Sequence, residues 1–179
     1  MQSVKIDRFL RVAICVLVVA FVYVVYAGIH QTVIAAGDSA PGFTIHADNG
    51  RTVSFPNFGG KILVLNFWAS WCPPCVQETP SLSRFSQDFA DKGVVVLGVS
   101  VDKDAQAYQN FLKKYQPAFL TARELTLHED FGTFMYPETY IIGANGKVLK
   151  KIAEAVDWSD PTIASYINSE LANQSNSRT

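Results

Sequence analysis

The sequence has few of the side chains that close disulfides or bind metals. Its 179 residues include three cysteines and three histidines. So few cysteines exclude a small secreted scaffold held together by several disulfides, and they exclude a four-cysteine zinc site. The histidines stand far apart, at His30, His46 and His128. Any cysteine chemistry must therefore depend on one pair, and we expect neither a bound metal nor another cofactor.

An excess of positive charge is also missing. Fifteen Lys and Arg residues oppose sixteen Asp and Glu residues, for a formal net charge of −1. The basic residues form no stripe or patch along the sequence, so no nucleic-acid partner is expected. The length fits one domain with an appendage.

Long apolar runs are absent except for one near the start of the sequence, at residues 12–29. At about 1.5 Å per residue, this run would span about 27 Å as a helix, close to the thickness of a bilayer core. Lys5, Arg8 and Arg11 precede it. Positive residues favour the cytoplasmic side, so we expect residues 1–11 in the cytoplasm, a single-pass transmembrane anchor at 12–29, and the rest of the chain outside.

A cleaved signal peptide is the alternative, since Val33-Ile34-Ala35 resembles a small-residue cleavage site. The apolar run is longer than the roughly 7–15 residues of a signal peptide, which favours the anchor. Either interpretation exports the remaining chain. Cys15, inside the run, is interpreted as a small apolar residue of the span.

The exported part is predicted to contain a linker at 30–39, one domain at 40–173 and a flexible tail at 174–179. Two short alternating runs around Asn49-Gly50 predict a hairpin. Near-continuous apolar runs at 62–68 and 94–101 predict strands buried on both faces. Strands alternating with helices imply an α/β sheet with parallel pairs. Further helices are predicted at 75–92, 104–115, 125–132 and from 160 onward, and further strands at 118–122, 140–142 and 148–152.

The motif Cys72-Pro73-Pro74-Cys75 lies where the first buried strand ends and the long helix begins. The N-terminus of a helix stabilises a thiolate, here that of Cys72. Prolines are tolerated in the first turn and leave the N–H of Cys75 to donate to the Cys72 sulfur. Cys75 follows one turn later, so a disulfide can close and reopen with little backbone motion.

A zinc site or a permanent disulfide could use the same spacing. Zinc would require two more ligands, and a three-residue loop gives a structural disulfide little stabilising effect. Redox use of the pair is therefore favoured.

Residues 66–75, NFWASWCPPC, resemble the active-site signature of exported thioredoxin-like proteins of the TlpA/ResA type, which include relatives linked to cytochrome c maturation. The similarity extends over about 40–171. It implies a thioredoxin fold with an N-terminal β-hairpin and a strand–helix insertion at 102–126, behind a transmembrane helix in a bacterial cell membrane.

The resemblance also implies a function. It suggests a periplasmic thiol-disulfide oxidoreductase that reduces protein disulfides, such as apocytochrome c cysteine pairs. Cys72 would attack the substrate and Cys75 would resolve the mixed disulfide. Because the exterior is oxidising, a membrane electron donor would be needed.

The same resemblance assigns a substrate-binding surface. Pro137, in Tyr136-Pro137, resembles the cis-proline that lies opposite the dithiol and exposes backbone groups to the substrate. Trp71, an aromatic residue before the first cysteine, fits an exposed docking rim. Trp68 is expected in the core, and Pro80 resembles the helix-kinking proline of thioredoxins.

Proton transfer near the dithiol is less clearly assigned by the sequence. Asn66 stands where plain thioredoxin has a buried acid. Glu78 matches an active-site glutamate of the TlpA-like subgroup and, if buried, could relay a proton. A solvated helix glutamate is the alternative. Glu138 matches a position of the cytochrome-maturation branch, with a surface or ion-paired role as its alternative.

Two other functions use the same cysteines. A copper-handling chaperone of thioredoxin fold would add a distal histidine, for which His128 is the candidate. A dithiol oxidase would differ only in its reduction potential, which the sequence does not determine. A peroxidase is disfavoured because Ala69 stands where its threonine would be.

Overall fold

The computed structural model describes residues 2–29 and 33–176, and side chains at 9–25 and 33–174. The chain forms two units, Met1–Thr32 and Val33–Thr179. The first unit contains helix α1, Gln2–Ile29, whose large apolar side chains between Phe9 and Val25 are exposed. Over the described residues, no helix has both the length and the apolarity that crossing a membrane requires. His30 lies outside the described residues.

The second unit is an α/β domain. Its five-stranded sheet has the order β5-β4-β3-β6-β7, in which β3, β4 and β5 are parallel while β6 and β7 are antiparallel to their neighbours. Strands β1 and β2 form a separate antiparallel hairpin. The bounds are β1 Phe43–His46, β2 Thr52–Phe55, β3 Ile62–Trp68, α2 Pro73–Ala90, β4 Val94–Ser100, α3 Ala105–Tyr115, β5 Leu120–Arg123, α4 Leu127–Asp130, β6 Glu138–Gly143, β7 Val148–Ile152 and α5 Pro161–Asn176.

Strand β3 is buried along its whole length, as its continuous apolar sequence predicts. Successive side chains of a strand point to opposite faces of the sheet. Leu63, Leu65 and Phe67 therefore join a core cluster with the hairpin, while Ile62 and Val64 join another with α2 and α5. Layers on both faces of the sheet explain why β3 carries no alternating polar pattern.

The predicted linker at 30–39 requires a correction. Ile34 is buried, and its N–H donates to the carbonyl of Phe131. Gly37 and Ala40 donate to the carbonyls of Val148 and Gly146. The compact unit accordingly begins at Val33 and not at residue 40. This pairing uses backbone groups only, so the small and polar side chains of the segment gave no indication of it.

The C-terminal helix confirms its predicted start and extends past its predicted end. The Asp160 carboxylate accepts a hydrogen bond from the N–H of Thr162 at 2.8 Å, which caps the first turn. The helix runs to Asn176 and buries Gln174, so it includes the first half of the segment predicted as a flexible tail. Residues 177–179 lie outside the described residues.

A glycine in β4 gives the first testable prediction. A Cβ at Gly98 would lie 2.6 Å from Cε2 of Phe119 and 3.0 Å from Nε1 of Trp68. Gly98→Ala should therefore lower the free energy of unfolding by about 1–3 kcal/mol through overpacking. Gly42→Ala is the matched control, because its Cβ would meet only the carbonyl oxygen of Phe55, at 3.8 Å. Equal midpoints for the two variants in chemical denaturation would contradict the crowding at Gly98.

Candidate active site

The two cysteines occupy the junction between β3 and α2. Cys72 has extended backbone geometry and is the N-cap of α2, whose first two residues are Pro73 and Pro74. Cys72 and Cys75 form a disulfide with their Cα atoms 5.3 Å apart. They are 4% and 1% exposed, respectively. The helix start therefore brings the pair together as the motif predicts, and Cys72 is at the open end.

The start of the helix also supplies a hydrogen-bond donor. The N–H of Cys75 donates to the sulfur of Cys72 at 3.3 Å, as the sequence predicts. Because the first N–H groups of a helix have no helical acceptor, this donor is available to the sulfur without loss of another bond. When the disulfide is opened, this N–H and the helix dipole would stabilise negative charge on Cys72.

A buried carboxylate holds the loop before Cys72. Asp102, 1% exposed, accepts hydrogen bonds from the N–H and the hydroxyl of Ser70 at 2.9 and 2.8 Å. It also accepts one from the hydroxyl of Ser100 at 2.6 Å. Asp102 is not among the site residues predicted from the sequence. Its signal was the position directly after a buried strand, because the ends of the parallel strands β3 and β4 meet at one edge of the sheet.

The predicted substrate-binding residues lie together beside the disulfide. The Tyr136–Pro137 peptide bond is cis. The carbonyl oxygen of Tyr136 lies 3.4 Å from the sulfur of Cys72. The ring of Trp71 meets that of Tyr136 edge-on, with centroids 6.0 Å apart, and Trp71 is 64% exposed. Phe134 and Met135, two exposed apolar residues that the sequence analysis missed, precede Tyr136.

Glu78 is buried, which excludes the solvated alternative. The side-chain amide of Asn66 donates to Oε1 of Glu78 at 2.8 Å and to the hydroxyl of Thr139 at 2.9 Å. The N–H of Val156 donates to Oε2 at 3.3 Å. Desolvation by burial raises the pKa of Glu78 to about 7, although the hydrogen bonds from Asn66 and Val156 act in the opposite direction. A titratable carboxyl group therefore lies in hydrogen-bond contact with Asn66, the residue that stands where plain thioredoxin has its buried acid.

Glu138 belongs to another environment. Its carboxylate forms an ion pair with Lys151, which matches the ion-paired alternative. Thr139 faces Asn66, so Glu138 points to the opposite face of the sheet. Glu138 and Glu78 therefore belong to different layers.

His128 packs against the ring of Tyr136, with centroids 6.0 Å apart. In the described parts of the chain, no group of three or more His, Cys, Asp or Glu side chains is placed to hold a metal ion. The structure thus brings the cysteines together with Trp71, Tyr136 and Pro137, and it places Glu78 behind them in the α2 layer.

Comparison with known proteins identifies the family. Residues 35–167 match the model of the Redoxin family. The chain belongs to this family. It is 31% identical over 162 residues to the thiol-disulfide oxidoreductase ResA of Bacillus subtilis, an alignment that covers 89% of this chain and 88% of that protein.

Solved structures show the same fold. A Chlorobium tepidum protein assigned as the thiol:disulfide interchange protein DsbE matches with a TM-score of 0.70 and 27% identity, over 77% of this chain and 99% of the other. The thioredoxin domain of a Bacteroides vulgatus thiol-disulfide oxidoreductase matches with a TM-score of 0.66 and 25% identity, over 75% and 99%. The protein is thus a thioredoxin-like thiol-disulfide oxidoreductase of the TlpA/ResA type, as its signature implied.

The buried acid predicts an unusual dependence of stability on pH. The pKa of Glu78 is raised from 4.5 to about 7, so between these pH values the native state holds a proton that the unfolded chain has released. The contribution of Glu78 to the free energy of unfolding should therefore decrease as the pH rises, by at most about 3 kcal/mol in total.

Denaturant titrations of the oxidised protein at a series of pH values test this prediction. Glu78→Gln should remove the decrease between about pH 4.5 and pH 7. Glu154→Gln, at an exposed site on the loop after β7, is the control and should retain the wild-type profile. If the free energies of unfolding of Glu78→Gln and of the wild type decrease in parallel as the pH rises, Glu78 does not titrate in this range.

Proposed function

We propose that the protein reduces disulfides of partner proteins outside the cytoplasm. The Cys72 thiolate attacks one sulfur of the substrate disulfide, and the other substrate sulfur leaves as a thiolate. Cys75 then attacks Cys72, the bond to the substrate breaks, and the substrate has gained two electrons while the dithiol has become a disulfide. The observation that carries this proposal is the placement of Cys72 at the open helix end, beside the carbonyl of Tyr136.

The surroundings of the pair support this division of roles. Trp71 is exposed and contacts the ring of Tyr136 beside Cys72, and the exposed apolar residues Phe134 and Met135 directly precede Tyr136 in the chain. Exposed apolar side chains of this kind suit the binding of an extended polypeptide. The backbone of Tyr136 can hydrogen-bond to such a chain, because its carbonyl already faces the reacting sulfur. Cys75 lies one helical turn after Cys72 and is 1% exposed. Its reaction partner is therefore Cys72 and not the substrate.

Glu78 acts in this scheme as the proton acceptor for Cys75. It lies three residues after Cys75, so the two side chains share one face of α2. A pKa of about 7 suits a group that takes and returns a proton near neutral pH. Asn66 and Val156 hold the carboxylate in place from two other elements.

The substrate class rests on the resemblance to proteins of cytochrome c maturation. It supports the cysteine pairs of apocytochromes c as substrates, which would return the dithiol to its oxidised form at each turnover. A membrane protein would then supply electrons, since the exterior is oxidising. A reduction potential more oxidising than that of the substrate pair would instead assign the protein as a dithiol oxidase.

Export and anchoring rest on the N-terminal sequence. The apolar run at 12–29 follows a basic flank, and the large apolar side chains described in α1 are exposed. We assign this segment as a single-pass anchor in a bacterial cell membrane, with residues 1–11 cytoplasmic and the catalytic domain periplasmic.

Topology can be measured in spheroplasts. Protease added from outside should digest the domain that begins at Val33 while the bilayer remains intact, and the intact protein should stay in the membrane fraction after an alkaline wash. A protected domain would contradict export. A mature N-terminus near Ala36 would contradict the anchor and leave export in place.

The roles of the cysteines can be tested by trapping. Cys75→Ser should accumulate mixed disulfides with substrate proteins through Cys72, because the resolving thiol is absent. Cys72→Ser, the matched control, should trap little, since the remaining thiol lies one turn into α2 and not at the open helix end beside Tyr136. Non-reducing gels of cells quenched with acid measure both, and more trapping by Cys72→Ser would reverse the assigned roles.

A further inference from the structure

A substrate on the dithiol face would separate that face from bulk water. The rim around Cys72 is formed by Trp71 and Tyr136, and a polypeptide bound there covers the sulfur. Resolution of the mixed disulfide nevertheless requires Cys75 to lose a proton at that moment. This proton therefore needs a route that does not pass through the substrate-binding face.

A second opening reaches Glu78. A cleft of about 380 Å³ lies between α2 and the loop that follows β7. Its lining includes Glu78, Ser81 and Arg84 from α2, and Ala155 and Asp157 from the loop. None of Trp71, Cys72 and Tyr136 contributes to it. A polypeptide on the dithiol face can thus leave this cleft open to water.

Hydrogen bonds fix the wall of the cleft. The hydroxyl of Ser81 donates to the carbonyl of Glu78 at 3.0 Å and accepts from the N–H of Trp158 at 3.2 Å. The N–H of Val156 donates to Oε2 of Glu78. The loop is thereby held against α2 at two points, with the Glu78 carboxylate at one of them.

The charges around Glu78 are balanced. Arg84 and Asp157 line the cleft with opposite charges, and the strands β3 and β6 present the uncharged Asn66 and Thr139. On the same helix, Cys75 lies three residues before Glu78. Glu138 and Lys151 form their ion pair on the other face of the sheet. Arg84 is the cation among these cleft residues, and its guanidinium donates to the hydroxyl of Ser159 at 3.5 Å.

We propose that Glu78 exchanges its proton with solvent through this cleft, so that resolution proceeds while a protein substrate covers the dithiol face. The Cys75 thiol transfers its proton to the Glu78 carboxylate, and the sulfur then bonds to Cys72. The bond between Cys72 and the substrate breaks, and the departing substrate thiolate takes a proton from water. Glu78 releases its proton into the cleft. The inference rests on the proposed exchange reaction and adds the route of its proton.

Ala155→Leu tests the route by filling the cleft without changing a titratable group. Ala153→Leu is the matched control, because Ala153 is exposed on the same loop and does not line this cleft. Reduced enzyme is mixed with an oxidised single-disulfide protein, and rapid acid quenching with mass spectrometry follows the mixed disulfide. The same variants are mixed with dithiobis(nitrobenzoate), whose small mixed disulfide leaves the dithiol face open and whose two colour steps report attack and resolution.

With the protein substrate, Ala155→Leu should slow resolution by about tenfold, within the effect of losing a proton-transfer partner. The attack by Cys72 should keep its wild-type rate, which also shows that the variant is folded. With the small substrate, resolution should change by less than about twofold, because water reaches the site from the front. Ala153→Leu should match the wild type in all four measurements.

Wild-type resolution of the protein mixed disulfide by Ala155→Leu would overturn the route, and Ala155→Phe repeats the test with a larger side chain. Equal slowing with both substrates would also overturn it, since this would indicate a displaced Glu78. Glu78→Gln separates the inference from the mechanism on which it rests. If Glu78→Gln resolves slowly while Ala155→Leu does not, only the route is wrong; if Glu78→Gln resolves normally, the relay itself is wrong.

Discussion

The burial of β3 on both faces determines where the reactive pair can lie. A strand covered by helices on one side and by the hairpin on the other is accessible only at its ends. Its carboxyl end is followed by a short loop and by the N-terminus of α2, where unpaired N–H groups collect. The sulfur of Cys72 is thus placed where the rigid core ends and where the backbone offers hydrogen-bond donors. Paired with β3, strand β4 brings Asp102 to the same edge of the sheet.

Two buried carboxylates near this edge of the sheet differ in their hydrogen-bond donors. Asp102 accepts three short hydrogen bonds from Ser70 and Ser100, which hold the loop before Cys72 against the end of β4. Glu78 accepts one bond from an amide side chain and one longer bond from the backbone, so burial dominates and its pKa rises. The two buried groups thus differ in the number and strength of their hydrogen-bond donors more than in their depth of burial.

Much of the fold followed from the sequence because its determinants are local. The continuous apolar runs located β3 and β4, and the Asn49-Gly50 turn located the β1–β2 hairpin. The position of Cys72 followed from the strand-to-helix junction, and that of Pro137 from the resemblance of Tyr136-Pro137 to the cis-proline of the family. The roles of Asp102 and Ser81 depend on contacts between segments far apart in the chain. The end of a buried strand marked the position of Asp102, but the sequence did not indicate its partners. The sequence also did not determine whether Glu78 is buried, because the position of a residue in a helix does not show which other elements cover it.

The pairing of residues 37–39 with β7 has a consequence for the surface of the sheet. The N–H of Gly37 binds the carbonyl of Val148, and the N–H of Val148 binds the carbonyl of Asp38, while Ser39 bridges to Lys147. Strand β7 is the last of the sheet, and an uncovered last strand offers its backbone to any extended chain. Here residues 37–39 of the protein itself occupy the first part of that edge. Addition of a foreign strand, from another polypeptide or from a second copy of the chain, is thereby blocked at this place.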